Sequence, residues 1–472
     1  LIRIAGMKTG TELLLSGRAV KGPEALALGI VDAVVPVAEM DAAARAWLAT
    51  GPNPVKPWDV KGYALPEQRG LIIPEYSAGM MITSGSIAKS GYNLPAPIAI
   101  LSCIYEGAIL PFDKALTVES KYFAKLLTSP VSRNIIRTTF LSKGAAERGA
   151  GRPAGVPKTE FKKIGILGAG MMGAGIAHVA AMAGIAVVLV DATVEAAERG
   201  KAHSAGLLDK AIQRGTGTEE SKTAVLARIT ATTDYAALAG CDLVIEAVFE
   251  DPKVKAEVIG RIEAVVAQSC ILATNTSTLP ITGLASASRR PEQVIGVHFF
   301  SPVDKMALVE VIRGAKTGDR AVAKALDFVR ALRKTPIVVN DARFFYANRC
   351  IIPYINEGIR MVAEGVEPAL IENAARLVGM PVGPLQLVDE TSIDLAVRIS
   401  AATKAATGAT YPDAAVDGVI FALADQGRLG RKAGAGFYTY DAAGKRTGLW
   451  EGLANAWPVA VVQPDLAQVQ HR

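Results

Sequence analysis

A chain of 472 residues, half of them hydrophobic and 20% charged, is long enough for roughly two to four packed domains. Its composition excludes disorder throughout. The formal charge of +6 is spread along the chain without a block of like charges, which suits phosphate-bearing small molecules and argues against nucleic acid. Cys103, Cys241, Cys270 and Cys350 form no CxxC and lie near no histidine cluster. A disulfide framework or zinc site is therefore not expected; each cysteine reads as a buried small hydrophobe in a reducing cytoplasm.

The chain opens on Leu1 without a signal-peptide pattern, which reads as a cut. Residues 1–50 are expected to be helices with short turns, including Gly10–Leu15 and Glu24–Leu28. Gly51-Pro52-Asn53-Pro54 and Pro57 break that pattern. From Ile98 to Leu141 apolar residues such as Leu116, Phe123, Leu126 and Leu127 recur at helical spacing. Residues 144–158 hold four glycines and two prolines and read as a linker.

Beyond it the texture changes. Lys163–Leu167 reads as a strand, and further strands are expected at Ile185–Val190, Asp242–Val248, Cys270–Thr274, Val294–Phe299, Leu308–Ile312 and Ile337–Val339. Helical stretches lie between most of them, so the pattern predicts a mostly parallel sheet with helices on both faces. Met171–Val190 is long enough to cross a bilayer. It contains His178 and three glycines, however, and a helix followed by a buried strand reads the same way. No membrane association is expected. From Ala342 the pattern is helical, so the boundary between the sheet and helical domains falls near residue 341.

The first strand runs into Gly168-Ala169-Gly170-Met171-Met172-Gly173, a GxGxxG turn. Gly168 would make the tight turn, Gly170 admit a pyrophosphate, and Gly173 let helix and strand pack closely. Asp191 ends the next strand, where its carboxylate can accept from ribose hydroxyls and repel a 2′-phosphate. That favours NAD over NADP; the alternative is that Asp191 only caps the following helix.

Of four histidines, His178 reads as a packed core residue, His203 as solvated, and His471 as part of the tail. His298 differs, because it closes an apolar strand before Phe299-Phe300-Ser301-Pro302 and so faces the ligand crevice of a doubly wound sheet. Glu310 lies twelve residues on, inside Leu308-Val309-Glu310-Val311-Ile312. A hairpin centred on Asp304 would set 298 opposite 310, and a buried carboxylate needs such a partner. The pair suits oxidation of a secondary alcohol: Glu310 would fix the imidazole tautomer while the other ring nitrogen takes the hydroxyl proton. A purely structural ion pair is the alternative.

Taken together, GAGMMGAGIAH at 168–178, EAVFEDPKVK at 246–255, TNTSTLPIT at 274–282, HFFSPVDKMALVEV at 298–311, YANR at 346–349 and GRKAGAGFYTY at 430–440 resemble the 3-hydroxyacyl-CoA dehydrogenase family. The resemblance implies oxidation of (S)-3-hydroxyacyl-CoA with NAD by a Rossmann-like α/β domain followed by an all-α dehydrogenase domain that dimerises and closes on substrate. It implies His298 and Glu310 as the catalytic pair, and Ser277 and Asn348 at the substrate oxygen. Met172, Asp191, Val248, Glu250, Lys255, Ser277, Ser301 and Lys432 would line the NAD site beside Gly168, Gly170 and Gly173. Ser301 departs from the asparagine of many relatives and could equally be a turn residue before Pro302; Lys432 could be a solvated surface lysine.

SGRAVKGPEALALGIVDAVVP at 16–36 resembles the end of an enoyl-CoA hydratase (crotonase) domain. KYFAKLLTSPVSRNIIRTTFLSK at 121–143 resembles the helix that links it to the dehydrogenase in α-subunits of fatty-acid β-oxidation multifunctional complexes. The expected organisation is a mostly helical crotonase remnant at 1–50, a linker region with helices at 51–157, an NAD-binding domain at 158–341, a helical domain at 342–445 and a tail at 446–472 leading to a second helical repeat. The crotonase core would precede Leu1, so loss of hydratase activity is expected. A thiolase β-subunit would be the partner of an intact complex. Two rival functions stay open: a β-hydroxyacid dehydrogenase acting on free acids through a lysine, and an inactive chain kept as a binding scaffold.

Overall fold

The computed structural model describes residues 1–65, 93–408 and 412–472. They form two compact units, Arg137–Pro353 and, separately, Leu1–Ile136 with Tyr354–Arg472.

The first unit is built on an eight-stranded sheet: β1 Lys163–Leu167, β2 Ala186–Val190, β3 Ile229–Thr232, β4 Leu243–Glu246, β5 Ile271–Thr274, β6 Val294–Phe299, β7 Leu308–Arg313 and β8 Thr335–Asn340. The order is β3-β2-β1-β4-β5-β6-β7-β8. Neighbours are parallel except β6 and β7, where the sheet reverses. Both faces are buried, which explains the continuous apolar runs. Along β2, Val187 and Leu189 enter one core with helices Met171–Met182 and Asp319–Ala331. Val188 and Val190 enter the other, against helix Pro252–Glu263.

The run Met171–Val190 resolves into helix Met171–Met182, a turn at Gly184 with φ 88°, and β2. Among the described residues no helix is long and apolar enough to cross a membrane. Strand β3 was not expected: only Ile229 of its four residues is buried, as suits an edge strand with one neighbour. The stretch read as a linker is anchored to the sheet unit. Arg152 makes a bidentate pair with Asp327 at 2.9 and 3.0 Å, and Thr159 N–H donates to the same carboxylate at 2.9 Å. The unit therefore begins upstream of residue 158.

The second unit is mainly helical. Its N-terminal helices run Ile2–Ser16, Gly22–Ala27 and Met40–Ala49. The periodic stretch from 98 divides at Pro111 and Pro130 into Pro95–Gly107, Phe112–Leu127 and Pro130–Ile135, because proline cannot continue a helix yet suits its first turn. Helices Pro368–Leu377, Pro384–Thr391, Ile393–Thr407 and Ala414–Asp425 follow. They are joined by an unexpected hairpin of β9 Tyr438–Tyr440 and β10 Arg446–Leu449. Buried Asp389 holds that hairpin, accepting from Phe437 N–H at 2.8 Å, Tyr438 N–H at 2.9 Å and Tyr440 O–H at 3.2 Å. One cysteine expectation fails outright: Cys241 and Cys270 are buried and Cys103 half-buried, but Cys350, in helix Ala347–Ala363, is exposed.

Candidate active site

The glycine-rich turn shows three distinct reasons for its glycines. Gly168 has φ 89°, and a Cβ there would lie 2.5 Å from Ala247 O. At Gly173 a Cβ would meet Gly168 O at 1.8 Å. At Gly170 it would meet nothing within 4 Å, so this residue leaves room on that side for a group the size of a pyrophosphate. Gly170 also N-caps helix Met171–Met182 with no side-chain cap, leaving the first N–H groups free for an anion. Asp191 follows β2; its carboxylate accepts from Ala169 N–H and Ala192 N–H, both at 2.6 Å. The next helix is capped instead by Thr193, whose hydroxyl accepts from Ala196 N–H, which removes the capping alternative for Asp191. The donors and the room fit a dinucleotide.

At the reversal of the sheet, His298 of β6 stands in register with Glu310 of β7. Imidazole Nδ1 lies 2.8 Å from Glu310 Oε2. Glu310 is fully buried, and its Oε1 accepts from Tyr346 N–H at 3.0 Å and Ala347 N–H at 2.8 Å. Burial pushes its carboxyl up, but the hydrogen bonds from His298 and the two amides outweigh that and hold it below the usual carboxylate range. Phe300 packs its ring 4.5 Å from the imidazole.

Around this pair, Asn348 Nδ2 donates to Ser277 O at 3.0 Å. Glu250 shapes the same loop: one oxygen accepts from Thr276 O–H at 2.6 Å and from the N–H groups of Ser277 and Thr278 at 3.0 and 3.1 Å. Lys255 does not present its charge to an open site; it is 1% exposed and bridges Glu246 at 2.9 Å and Glu250 at 3.4 Å. Val248 N–H donates to Glu246 at 3.3 Å. Met172 is half-buried in the cradle helix, and exposed Ser301 places Oγ 3.6 Å from Met171 Sδ. Lys432 is exposed on a short turn, Arg431–Ala433, of the other unit. His178 is buried with Nδ1 unpartnered, and burial lowers its pKa; His203 is exposed.

Two buried polar residues escaped sequence reading. Asn275 Oδ1 accepts from Phe299 N–H at 2.9 Å, beside His298. Glu246, at the end of an apolar strand, is the counter-ion of Lys255. The rule that singled out Glu310, a carboxylate among valines, would have found it. Among the described residues no cluster of His, Cys, Asp and Glu could hold a metal.

The model of the 3-hydroxyacyl-CoA dehydrogenase NAD binding domain matches residues 163–342, and that of the 3-hydroxyacyl-CoA dehydrogenase C-terminal domain matches 345–440. The chain belongs to the 3-hydroxyacyl-CoA dehydrogenase family. NAD is the cofactor of its sheet domain. Among solved members of this dehydrogenase family, the (S)-3-hydroxybutyryl-CoA dehydrogenase of Ralstonia eutropha is 37% identical; the match covers 60% of this chain and all of that one, with a TM-score of 0.56. FadB2 of M. tuberculosis is 33% identical with the same coverage and TM-score. The fatty acid oxidation complex subunit alpha of Shewanella sp. (strain W3-18-1) is 36% identical over 452 residues, which is 95% of this chain. The chain spans 63% of the length of that relative.

Proposed function

We propose that this chain oxidises the 3-hydroxyl of (S)-3-hydroxyacyl-CoA to give 3-oxoacyl-CoA, in the β-oxidation of fatty acids. The observation that carries the reading is the His298–Glu310 pair, with its carboxylate kept ionised by three donors. Glu310 occupies Nδ1, so Nε2 is the nitrogen that takes the hydroxyl proton. The anionic carboxylate then stabilises the imidazolium. Ser277 and Asn348, already hydrogen-bonded to each other, hold the substrate oxygen. Gly168, Gly170, Gly173 and Asp191 hold the dinucleotide, with Met172, Val248, Glu250 and Ser301 beside it and Lys255 acting from beneath through Glu246 and Glu250. Bound NAD would accept the hydride released from C3.

The kinship with a fatty acid oxidation complex α-subunit supports a thiolase β-subunit as a partner, and four free thiols support a cytoplasmic setting. NADH formation from (S)-3-hydroxybutyryl-CoA, measured beside free 3-hydroxybutyrate, tests the proposal. Turnover of the thioester alone is expected. Faster turnover of the free acid would favour a β-hydroxyacid dehydrogenase, and NADH binding without turnover of either would favour a scaffold.

A further inference from the structure

Lys334 precedes β8 and is only 7% exposed, yet its ammonium makes no ion pair among the described residues. An unpaired buried charge is costly to desolvate, so what this one touches matters. Nζ donates to Val303 O at 2.5 Å and Met306 O at 2.6 Å. These carbonyls belong to a tight turn in which the N–H groups of Lys305 and Met306 both donate to Pro302 O at 3.0 Å. Such a turn leaves its last carbonyls without backbone partners, and a cation is the natural cap for them. Immediately after Lys334, Thr335 N–H donates to Ala307 O at 2.8 Å, so β8 grips the same segment.

The other side of that turn rests on the cofactor cradle. Val303 is buried against helix Met171–Met182 so closely that a Cβ at Gly175 would stand 2.9 Å from its side chain. Ser301, two residues earlier, meets Met171 at the start of that helix. The segment 301–307 is also the connection between β6 and β7, and hence between His298 and Glu310. It is clamped from one side by Lys334 and from the other by the cradle helix.

We propose that Lys334 is a positioning residue for the cofactor side of the site: by capping the 302–306 turn it presses Val303 onto the cradle helix and fixes Ser301 relative to the glycine-rich turn. The inference concerns the site assigned above and rests on that assignment for its catalytic consequence, but its effect on dinucleotide binding requires no turnover.

The test measures NADH binding by fluorescence titration, together with the separate KM values for NAD and acyl-CoA. Removing the ammonium leaves the Val303 and Met306 carbonyls without that donor, so Lys334→Met is expected to fold but to melt below the wild type. Its NADH Kd should rise about tenfold and its KM for NAD should rise in parallel, while KM for acyl-CoA stays within about twofold. Lys334→Arg, which keeps a cationic donor, should recover part of the affinity. A role in stability alone would lower the melting temperature and leave both constants unmoved. NADH affinity of the methionine variant within about twofold of wild type overturns the proposal. If that variant does not fold, Gly175→Ala decides, because its Cβ pushes Val303 from the opposite side: weakened NADH binding supports the proposal and unchanged binding refutes it. Loss of NADH affinity in a protein that oxidises no acyl-CoA would uphold the positioning role and refute only the choice of substrate.

Discussion

Replacing Glu310 by glutamine changes one atom of the site and tests whether the carboxylate sets the histidine tautomer. Two arrangements of the amide are open. If its oxygen stays on the N–H groups of Tyr346 and Ala347, its NH2 must face His298 Nδ1. Nδ1 then becomes the acceptor, the ring proton moves to Nε2, and the nitrogen that should receive a proton already carries one. If the amide turns over, its NH2 faces two backbone donors and leaves them unpaired in a fully buried place, at about 1–3 kcal/mol each. The first arrangement is favoured, so the ground state holds the wrong tautomer. Loss of general-base assistance is worth about 10²–10⁴ in rate, or roughly 2.7–5.5 kcal/mol of barrier at 1.36 kcal/mol per decade. The assay is kcat from NADH appearance at saturating 3-hydroxyacyl-CoA, with NADH affinity and melting temperature as controls that should hold, because Glu310 touches no residue of the cradle. A folded Glu310→Gln enzyme retaining a third or more of wild-type kcat refutes the tautomer argument.

His298→Gln should lower kcat by the same ~10²–10⁴ while NADH titration stays unchanged; near wild-type turnover would move the base elsewhere. Gly173→Ala drives a methyl to within 1.8 Å of Gly168 O, so NADH binding should fall below detection, accompanied by a lower melting temperature; a variant that still binds NADH tightly would contradict the described turn. Asp389 gives a pH prediction. Burial raises its pKa to about 6, above its value in an unfolded chain, so its stabilising contribution is present at low pH and is lost as pH rises through about 6. The stability gap between wild type and Asp389→Asn, measured by denaturant melts, should therefore widen by about 1.4 kcal/mol on going from about pH 7.5 to about pH 5; an equal gap at both values refutes it.

What could be read from the chain alone depended on where each interaction's partners lie in sequence. The GxGxxG turn is local, and the apolar runs around it mark two strands buried on both faces, so the order of elements from 163 to 190 was legible. The 298–310 pairing was legible because a short symmetrical turn fixes antiparallel register. Strand β3 was not, since an edge strand with exposed Thr230 and half-buried Ala231 and Thr232 carries little apolar signal. Nor were the grips on carboxylates. Glu310 is held by amides 36 and 37 residues away, and Asp389 by amides 48 and 49 residues away. Backbone N–H groups have no letter in the sequence. Lys255 was singled out by resemblance, but its burial against Glu246 depends on packing.

The single reversal in the sheet, between β6 and β7, has a consequence for how this site tolerates change. Because side chains alternate between faces along each strand, adding or deleting one residue anywhere from 300 to 307 would shift one strand past the other and send Glu310 to the opposite face from His298. Two added residues would restore the face but bring Leu308 into register with His298. Spacing, more than composition, is therefore what the connection must preserve: exposed positions such as Asp304 can vary in identity, whereas insertions there part His298 from Glu310. Segments that can lengthen freely belong elsewhere in the chain, where no buried pair spans the join.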